Sequence, residues 1–139
     1  MQTSESGIQF IKQNEGFSAN VYNDNGRQAI GYGHDLLPEE SFAAGISLDE
    51  ADLLLRKDLA RRYEPAVNAL IPPYCTQGQF DALADFAYNL GVGSLRTMLS
   101  HGWEQVPQQI PRWNHVNGVE NAGLTARRQA EVKMFVGAN

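Results

Sequence analysis

The sequence has one cysteine, Cys75, and no apolar run long enough to cross a membrane. A lone cysteine excludes an internal disulfide and a thiolate metal site, and we expect it to be a small buried hydrophobe. A membrane-spanning helix needs about 20 apolar residues in a row, so no integral membrane segment is expected. The N-terminal residues show no basic leader followed by an apolar stretch, so we expect synthesis in the cytoplasm without a signal peptide.

Positive charge is also scarce: the sequence has 11 Lys and Arg residues and 16 Asp and Glu residues, for a net charge of −5. Residues 1–70 carry 6 of the basic and 11 of the acidic side chains, so all of the excess acid lies in the first half. Without a basic run, neither nucleic acid nor an anionic lipid surface is expected as a partner.

The length of 139 residues is that of one domain, and we expect a single domain over 1–139. The pattern of elements predicts an α+β, mainly helical fold with a small antiparallel β-hairpin lobe. The smaller lobe is expected over about residues 1–45 and the helical lobe over about 65–139, joined by one long helix. A crevice between two such lobes is a natural place for a ligand.

Capping residues, glycines and apolar spacing mark the expected helices. They are a helix of at most two turns ending at Gly16, a long helix from Ser47 to about Arg62 or a little beyond Tyr63, a central core helix from Thr76 to Gly91, short pieces at Leu95 to Ser100 and Gln108 to Trp113, and a last helix over 124–136 in which Leu124, Ala130, Val132 and Phe135 can reach the core.

A hairpin is predicted at Asn25-Gly26, which lies between residues typical of strands. A two-residue loop there pairs Asp24 with Arg27 and Tyr22 with Ala29. Alternate residues of a strand point to the same side, so Asp24 and Ala29 are expected to share one face of the sheet.

Glu15 and Asp24 are the candidate catalytic pair. Glycoside hydrolysis needs one protonated carboxyl to donate to the leaving oxygen and one ionised carboxylate to stabilise positive charge or activate water. The chain has 16 acidic residues, so spacing alone favours two solvated carboxylates over a catalytic pair. Apolar and glycine-rich neighbours around both groups favour the catalytic interpretation.

The string EGFSANVYNDNGRQAIGYGH, residues 15–34, resembles the opening signature of the phage-type lysozymes, the glycoside hydrolase family 24 muramidases. That signature is E-G-x-x-x-x-x-Y-x-D, a glycine turn and T-I-G-x-G-H. The resemblance continues through ALADFAYNLGVGSL, the RW of residues 112–113 and GLTARRQAE, over about residues 8–135. It implies a two-lobed lysozyme fold and cleavage of the bond between N-acetylmuramic acid and N-acetylglucosamine in peptidoglycan.

The resemblance also implies roles for individual residues. Glu15 corresponds to the general acid, Asp24 to the second catalytic carboxylate and Arg127 to an arginine that reaches back to the acid. An arginine lowers the pKa of a nearby carboxyl, so burial by Phe17 and the closed cleft is expected to offset the charge. The alternative for Arg127 is an ordinary surface pair with Glu131, four residues on.

Tyr88 and Asn89 match positions that line the sugar groove in the family, although Tyr88 also fits a plain core position. His34 matches a family histidine that we interpret as structural, holding a buried carboxylate. His101 and His115 stand apart from acidic or cysteine neighbours at ligand spacing, so no metal and no cofactor is expected.

One departure from the family signature is Ala29, which stands where the family has a threonine before Ile-Gly. The threonine hydroxyl helps to position the attacking water beside the second carboxylate. Its loss is expected to slow the enzyme without inactivating it, and Ala29→Thr is expected to raise kcat. The alternative is a lysozyme-fold domain that binds peptidoglycan but no longer catalyses.

The resemblance implies a setting in bacteriophage biology. The expected protein is a monomeric endolysin that acts on bacterial peptidoglycan after release from the host cytoplasm through a holin-type pore. A lysozyme carried in a phage tail or a secretion device is the related alternative.

Overall fold

Helices dominate the structure, a computed structural model that describes residues 1–137. The elements in chain order are α1 (Glu5–Glu15), β1 (Ser18–Asp24), β2 (Arg27–Gly31), β3 (His34–Asp35), α2 (Leu48–Asp58), a π-helical turn (Leu59–Tyr63), α3 (Glu64–Leu70), α4 (Gln77–Leu90), α5 (Val92–Leu99), α6 (Val106–Gln109), β4 (His115–Val116), β5 (Val119–Glu120) and α7 (Ala122–Val136), with 3₁₀ turns at Trp103–Gln105 and Ile110–Arg112. The mainly helical α+β fold class predicted from the sequence is confirmed.

The first helix is longer than predicted, with 11 residues and therefore three turns. Ser4 caps it by accepting a hydrogen bond from the Gly7 amide, and Gly16 ends it at a φ of 72°. The prediction of two turns was wrong because it counted only the short apolar set. The added stabilisation comes from Asp81 of α4, which accepts from the Ser4 amide at 2.9 Å.

The hairpin register predicted from Asn25-Gly26 is confirmed, with Asp24 opposite Arg27 and Tyr22 opposite Ala29. Asn25 and Gly26 have φ values of 51° and 87°, which a tight two-residue turn between antiparallel strands requires. β3 extends this hairpin to a three-stranded sheet in the order β1-β2-β3.

The long helix begins at Ser47 with the expected capping box but does not stop near Tyr63. It passes through the π-helical turn and continues as α3 to Leu70. Pro65 lies in the first turn of α3, and its lack of an N–H removes the hydrogen bond that an α-helix would make there. The predicted end was therefore wrong, because the proline changes the winding of the helix without terminating it.

α4 is the central core helix, as predicted, and begins with a capping box at Thr76. Its residues from Phe80 to Ala87 are buried without interruption. The main hydrophobic core surrounds this helix, and a second, smaller cluster of Ile30, Ile46 and Ala51 joins the sheet to α2. Cys75 is partly buried against the main core.

α7 has an unusual buried face. Its buried residues are Arg127, Arg128, Glu131 and Phe135, and the first three of these are charged. Of the apolar residues expected in the core, Phe135 is buried, whereas the others, Leu124, Ala130 and Val132, are only partly buried. The sequence pattern pointed to apolar packing, and the structure places a buried charge cluster there instead.

A second hairpin, formed by β4 and β5, was not predicted. Its turn uses Asn117 and Gly118, at φ values of 51° and 79°, which is the same Asn-Gly signal that identified the first hairpin. Its strands have two exposed residues each, too few to show an alternating pattern. Within residues 1–137, none of the helices is both long enough and apolar enough to cross a membrane.

His34 links the sheet to the long helix. Its Nδ1 lies 2.7 Å from a carboxylate oxygen of Asp58, at the end of α2, and its Nε2 lies 2.9 Å from a carboxylate oxygen of Glu40. The hydrogen bond with Asp58, helped by that with Glu40, raises the pKa of His34 from 6.5 to about 9. His34 is only 5% exposed, and these two carboxylates make the folded protein favour its charged form.

We predict that this contact makes stability depend on pH. The contribution of His34 is fully present below pH 6.5 and is lost as the pH rises through about 9, because the pKa is higher in the folded state. The change amounts to up to about 3 kcal/mol in the free energy of unfolding. Urea denaturation between pH 6 and 10 measures it. His34→Gln is the control, and an equal pH dependence in the variant and the wild type would contradict the assignment.

Candidate active site

A cavity of about 340 Å³ lies where the ends of several elements meet. Its wall combines the C-terminus of α1, one face of the sheet, the π-helical turn and the C-terminus of α4. The lining residues are Glu15, Asp24, Arg27, Gly33, Asp35, Arg62, Tyr63, Tyr88, Asn89, Leu90 and Gly91. Four residues singled out in the sequence, Glu15, Asp24, Tyr88 and Asn89, are therefore brought together in one cavity.

Glu15 is the last residue of α1, and its side chain is 19% exposed. The turn between β2 and β3 lies directly against it, since a Cβ added to Gly33 would come within 2.9 Å of Glu15 Oε1. Gly33 also has a φ of 88°, which side chains rarely adopt. A glycine at this position therefore lets the backbone close over the carboxyl group.

The pKa of Glu15 is raised above its ordinary value of 4.5. Burial is the largest cause, and the charge and hydrogen bond of Arg127 oppose it without cancelling it. Phe17, which the sequence suggested as part of this burial, is 40% exposed and packs on Tyr32. A carboxyl in this environment can hold a proton and donate it.

The contact expected between Arg127 and Glu15 is present, with Arg127 Nη1 donating to Glu15 Oε2 at 2.7 Å. The residues lie 112 positions apart in the sequence, so the contact joins the first and last helices. The alternative surface pair of Arg127 with Glu131 is wrong. Glu131 is fully buried and pairs with Arg128, whereas Arg127 makes its other hydrogen bonds to Asp85.

Asp24 is exposed on the rim of the cavity at the end of β1, across the hairpin from Arg27. The confirmed register places Ala29 on the same face of the sheet, as expected. Ala29 is, however, fully buried and does not line the cavity. Its neighbour on β3 is Asp35, which does line it, so a carboxylate lies beside the position where the family has a hydroxyl.

Tyr88 has the features of both predicted interpretations, since it lines the cavity and packs partly against the core. Its hydroxyl donates to the Tyr32 carbonyl at 2.6 Å, and its ring packs edge-on against Tyr63. Asn89 also lines the cavity, and its Oδ1 accepts from Arg128 at 2.8 Å. Among residues 1–137 this leaves the Asn89 amide nitrogen without a hydrogen-bond partner, as a donor beside the cavity.

His34 lies outside this cavity wall, with its two ring nitrogens engaged by Asp58 and Glu40. In the part of the chain that the structure describes, no three His, Cys, Asp or Glu side chains are grouped so as to hold a metal ion.

Sequence reasoning did not assign the other residues of the cavity wall to the site, and three of these carry polar groups into it from unexpected places: Asp35, Arg62 and Tyr63. Asp35 directly follows the Gly-Tyr-Gly-His motif, but its place beside Ala29 depends on the pairing of β2 with β3. Arg62 and Tyr63 belong to the π-helical turn, and Arg62 lies over the Tyr63 ring at 5.5 Å. The only available signal for that turn was Pro65.

The chain is similar to known proteins in both sequence and structure. Residues 12–131 match the family model described as phage lysozyme. The endolysin of Bacillus phage PZA is 35% identical over 147 aligned positions, which cover 97% of this chain and 55% of that protein. The chain thus spans about half the length of the first curated relatives it matches.

Solved structures with the same fold include two with clear sequence similarity. The muramidase domain of SpmX from Asticaccaulis excentricus is 33% identical, with a TM-score of 0.81 and coverage of 97% of each chain. The endolysin from Escherichia coli O157:H7 phage FAHEc1 is 29% identical, with a TM-score of 0.83 and coverage of 98% of this chain and 94% of that one. The chain belongs to the phage lysozyme family.

Proposed function

We propose that this protein is a peptidoglycan hydrolase that cleaves the bond between N-acetylmuramic acid and N-acetylglucosamine. The observation that carries the proposal is the buried Glu15 carboxyl, held by Arg127 and sharing a cavity with Asp24. The names of the relatives support it, since one is an endolysin and another a muramidase domain.

In this proposal, Glu15 gives its proton to the glycosidic oxygen as the bond from that oxygen to the anomeric carbon breaks. Asp24 remains ionised and either stabilises the positive charge at the anomeric carbon or takes a proton from the attacking water. Water supplies the hydroxyl that ends on the anomeric carbon, and its other proton goes to Asp24 when Asp24 is the base or returns to Glu15 when Asp24 stabilises the positive charge. The surroundings of the two carboxyl groups suit these two roles, because Glu15 is half-buried and Asp24 is exposed.

Substrate binding is assigned to the remaining wall of the cavity. The Asn89 amide nitrogen, which has no hydrogen-bond partner within residues 1–137, is suited to donate to the carbonyl of an N-acetyl group, and the aromatic ring of Tyr88 is suited to pack on a sugar ring. All of these groups come from one chain, so a monomer is sufficient. We place the protein in host lysis, acting on the wall after holin-type release, without a cofactor.

The alternative, a binding domain whose catalysis has lapsed, is motivated by Ala29. Three features argue against it: Arg127 contacts Glu15, Asp24 lines the same cavity, and Gly33 allows the backbone to close over the proposed acid.

Glu15→Gln is predicted to abolish lysis of purified cell walls while the fold stays intact. The amide has no proton to donate, and general acid catalysis is typically worth about 10²- to 10⁴-fold in rate. Turbidity clearing gives the rate, and labelling of new reducing ends shows whether they belong to N-acetylmuramic acid. Glu39→Gln is the control, because Glu39 is exposed and lies outside the cavity. More than about a tenth of the wild-type rate in Glu15→Gln would reject Glu15 as the acid.

The role of position 29 is tested by comparing Ala29→Thr with Ala29→Val. Ala29 is fully buried, so any larger side chain carries a packing cost, and these two have nearly the same shape. We predict that kcat of the threonine variant exceeds that of the valine variant by roughly tenfold or more, with little change in KM. Equal rates would show that a hydroxyl at this position does not assist the water, and no lysis by the wild type would favour the lapsed domain.

A further inference from the structure

Behind the Glu15 carboxyl lies a buried cluster of charged side chains from α4 and α7. It contains Asp85, Arg127, Arg128 and Glu131, of which Asp85, Arg128 and Glu131 are fully buried and Arg127 is 7% exposed. Of this cluster, only Arg127 also contacts Glu15. The cluster therefore reaches Glu15 through one guanidinium group, whereas Arg128 contacts the cavity wall at Asn89.

Asp85 accepts two of the three hydrogen bonds that this guanidinium donates to Glu15 and Asp85. Arg127 Nε donates to Asp85 Oδ2 at 3.0 Å, and Arg127 Nη2 donates to Asp85 Oδ1 at 2.8 Å. Such a two-point contact fixes the plane of the guanidinium as well as its position. Nη1 is then directed at Glu15 by a partner that does not itself line the cavity.

Asp85 also balances the charge of Arg127. A lone buried guanidinium beside Glu15 would favour the ionised carboxylate and remove the proton that an acid needs. With Asp85 on its other side, Arg127 is already paired, and its remaining pull on Glu15 is weaker. Both Asp85 and Asp24 raise the pKa of Glu15, in agreement with this balance.

The wider cluster holds three carboxyl groups, Glu15, Asp85 and Glu131, and two arginines. Burial and the adjoining Asp85 raise the pKa of Glu131, and Arg128 acts in the opposite direction. The groups that interact with Glu15 are Arg127 from α7, Asp85 and Tyr88 from α4, Asp24 and Tyr22 from β1 and Tyr63 from the π-helical turn. Two further cations, Arg27 and Arg62, line the same cavity, but only Arg127 donates a hydrogen bond to Glu15.

We infer that Asp85 is a positioning residue for the reaction: its two-point contact orients Arg127 and compensates the charge of Arg127, so that Glu15 keeps the proton it donates. This inference rests on the proposed function. Asp85 is too deeply buried to touch substrate, and it orients the Glu15 contact through its two hydrogen bonds with Arg127. Sequence patterns alone place it as one buried position of the core helix.

The test is the pH dependence of kcat/KM on purified peptidoglycan for Asp85→Asn. The amide keeps the shape of the side chain but removes the compensating charge, so the basic limb of the profile is expected to move to lower pH by about one pH unit or more. At a fixed pH on the alkaline side, activity then falls roughly tenfold for each pH unit by which the limb moves. A folded variant whose basic limb stays at the wild-type pH would overturn the inference.

Asp81→Asn is the matched control, since Asp81 is also a buried aspartate of α4 but bonds to Ser4 and Gln77 rather than to an arginine. It is expected to lower stability and leave the limb in place. Wall lysis by wild type and Glu15→Gln tests the function separately, because a wild type that fails to lyse rejects the function whatever Asp85 does.

Asp85→Asn alone leaves a buried guanidinium uncompensated and can unfold the protein. The double variant Asp85→Asn, Arg127→Gln removes both charges and serves in that case. Its basic limb is expected at or above the wild-type pH, because the cation that favours ionised Glu15 is gone. A limb displaced to lower pH in the double variant would contradict charge compensation.

Discussion

The ionic contact of Arg127 with Glu15 and Asp85 is the interaction on which the arrangement of the site depends. It joins the end of α1, the middle of α4 and the first half of α7, three helices that are far apart in the sequence. Removing one member of such a buried group leaves an uncompensated charge and typically costs about 3–5 kcal/mol. The position of the proposed acid is therefore tied to the packing of the whole helical part.

The sheet is positioned by a second, independent ionic contact. His34 joins β3 to Asp58 at the end of α2, and the small apolar cluster around Ile30 packs the sheet on the same helix. Asp24 extends from this sheet, whereas Glu15 belongs to α1. The distance across the cavity between the Glu15 and Asp24 carboxyl groups thus depends on the Arg127 contact and on the His34 contact. Most of the cavity wall comes from the ends of helices and strands.

Much of the fold and part of the candidate site could be predicted from local sequence signals. Asn25-Gly26 predicted the hairpin and its register, and Thr76 and Gly91 predicted the bounds of α4, because turns and caps depend on a few adjacent residues. The family resemblance led to the contact of Arg127 with Glu15. The π-helical turn and the buried charges of α7 escaped prediction, since arginine and glutamate four residues apart look like a surface pair until their partners on other helices are known.

The central claim is that Glu15 serves as the proton donor in spite of its arginine partner. It is tested most directly by following the carboxyl carbon of Glu15 through a pH titration by ¹³C NMR, with Glu15→Gln used to assign the signal. The account predicts a pKa above the ordinary value of 4.5, because burial outweighs the arginine. A pKa at or below that value would contradict it, since Arg127 would then hold the carboxylate ionised and leave no proton for the leaving oxygen.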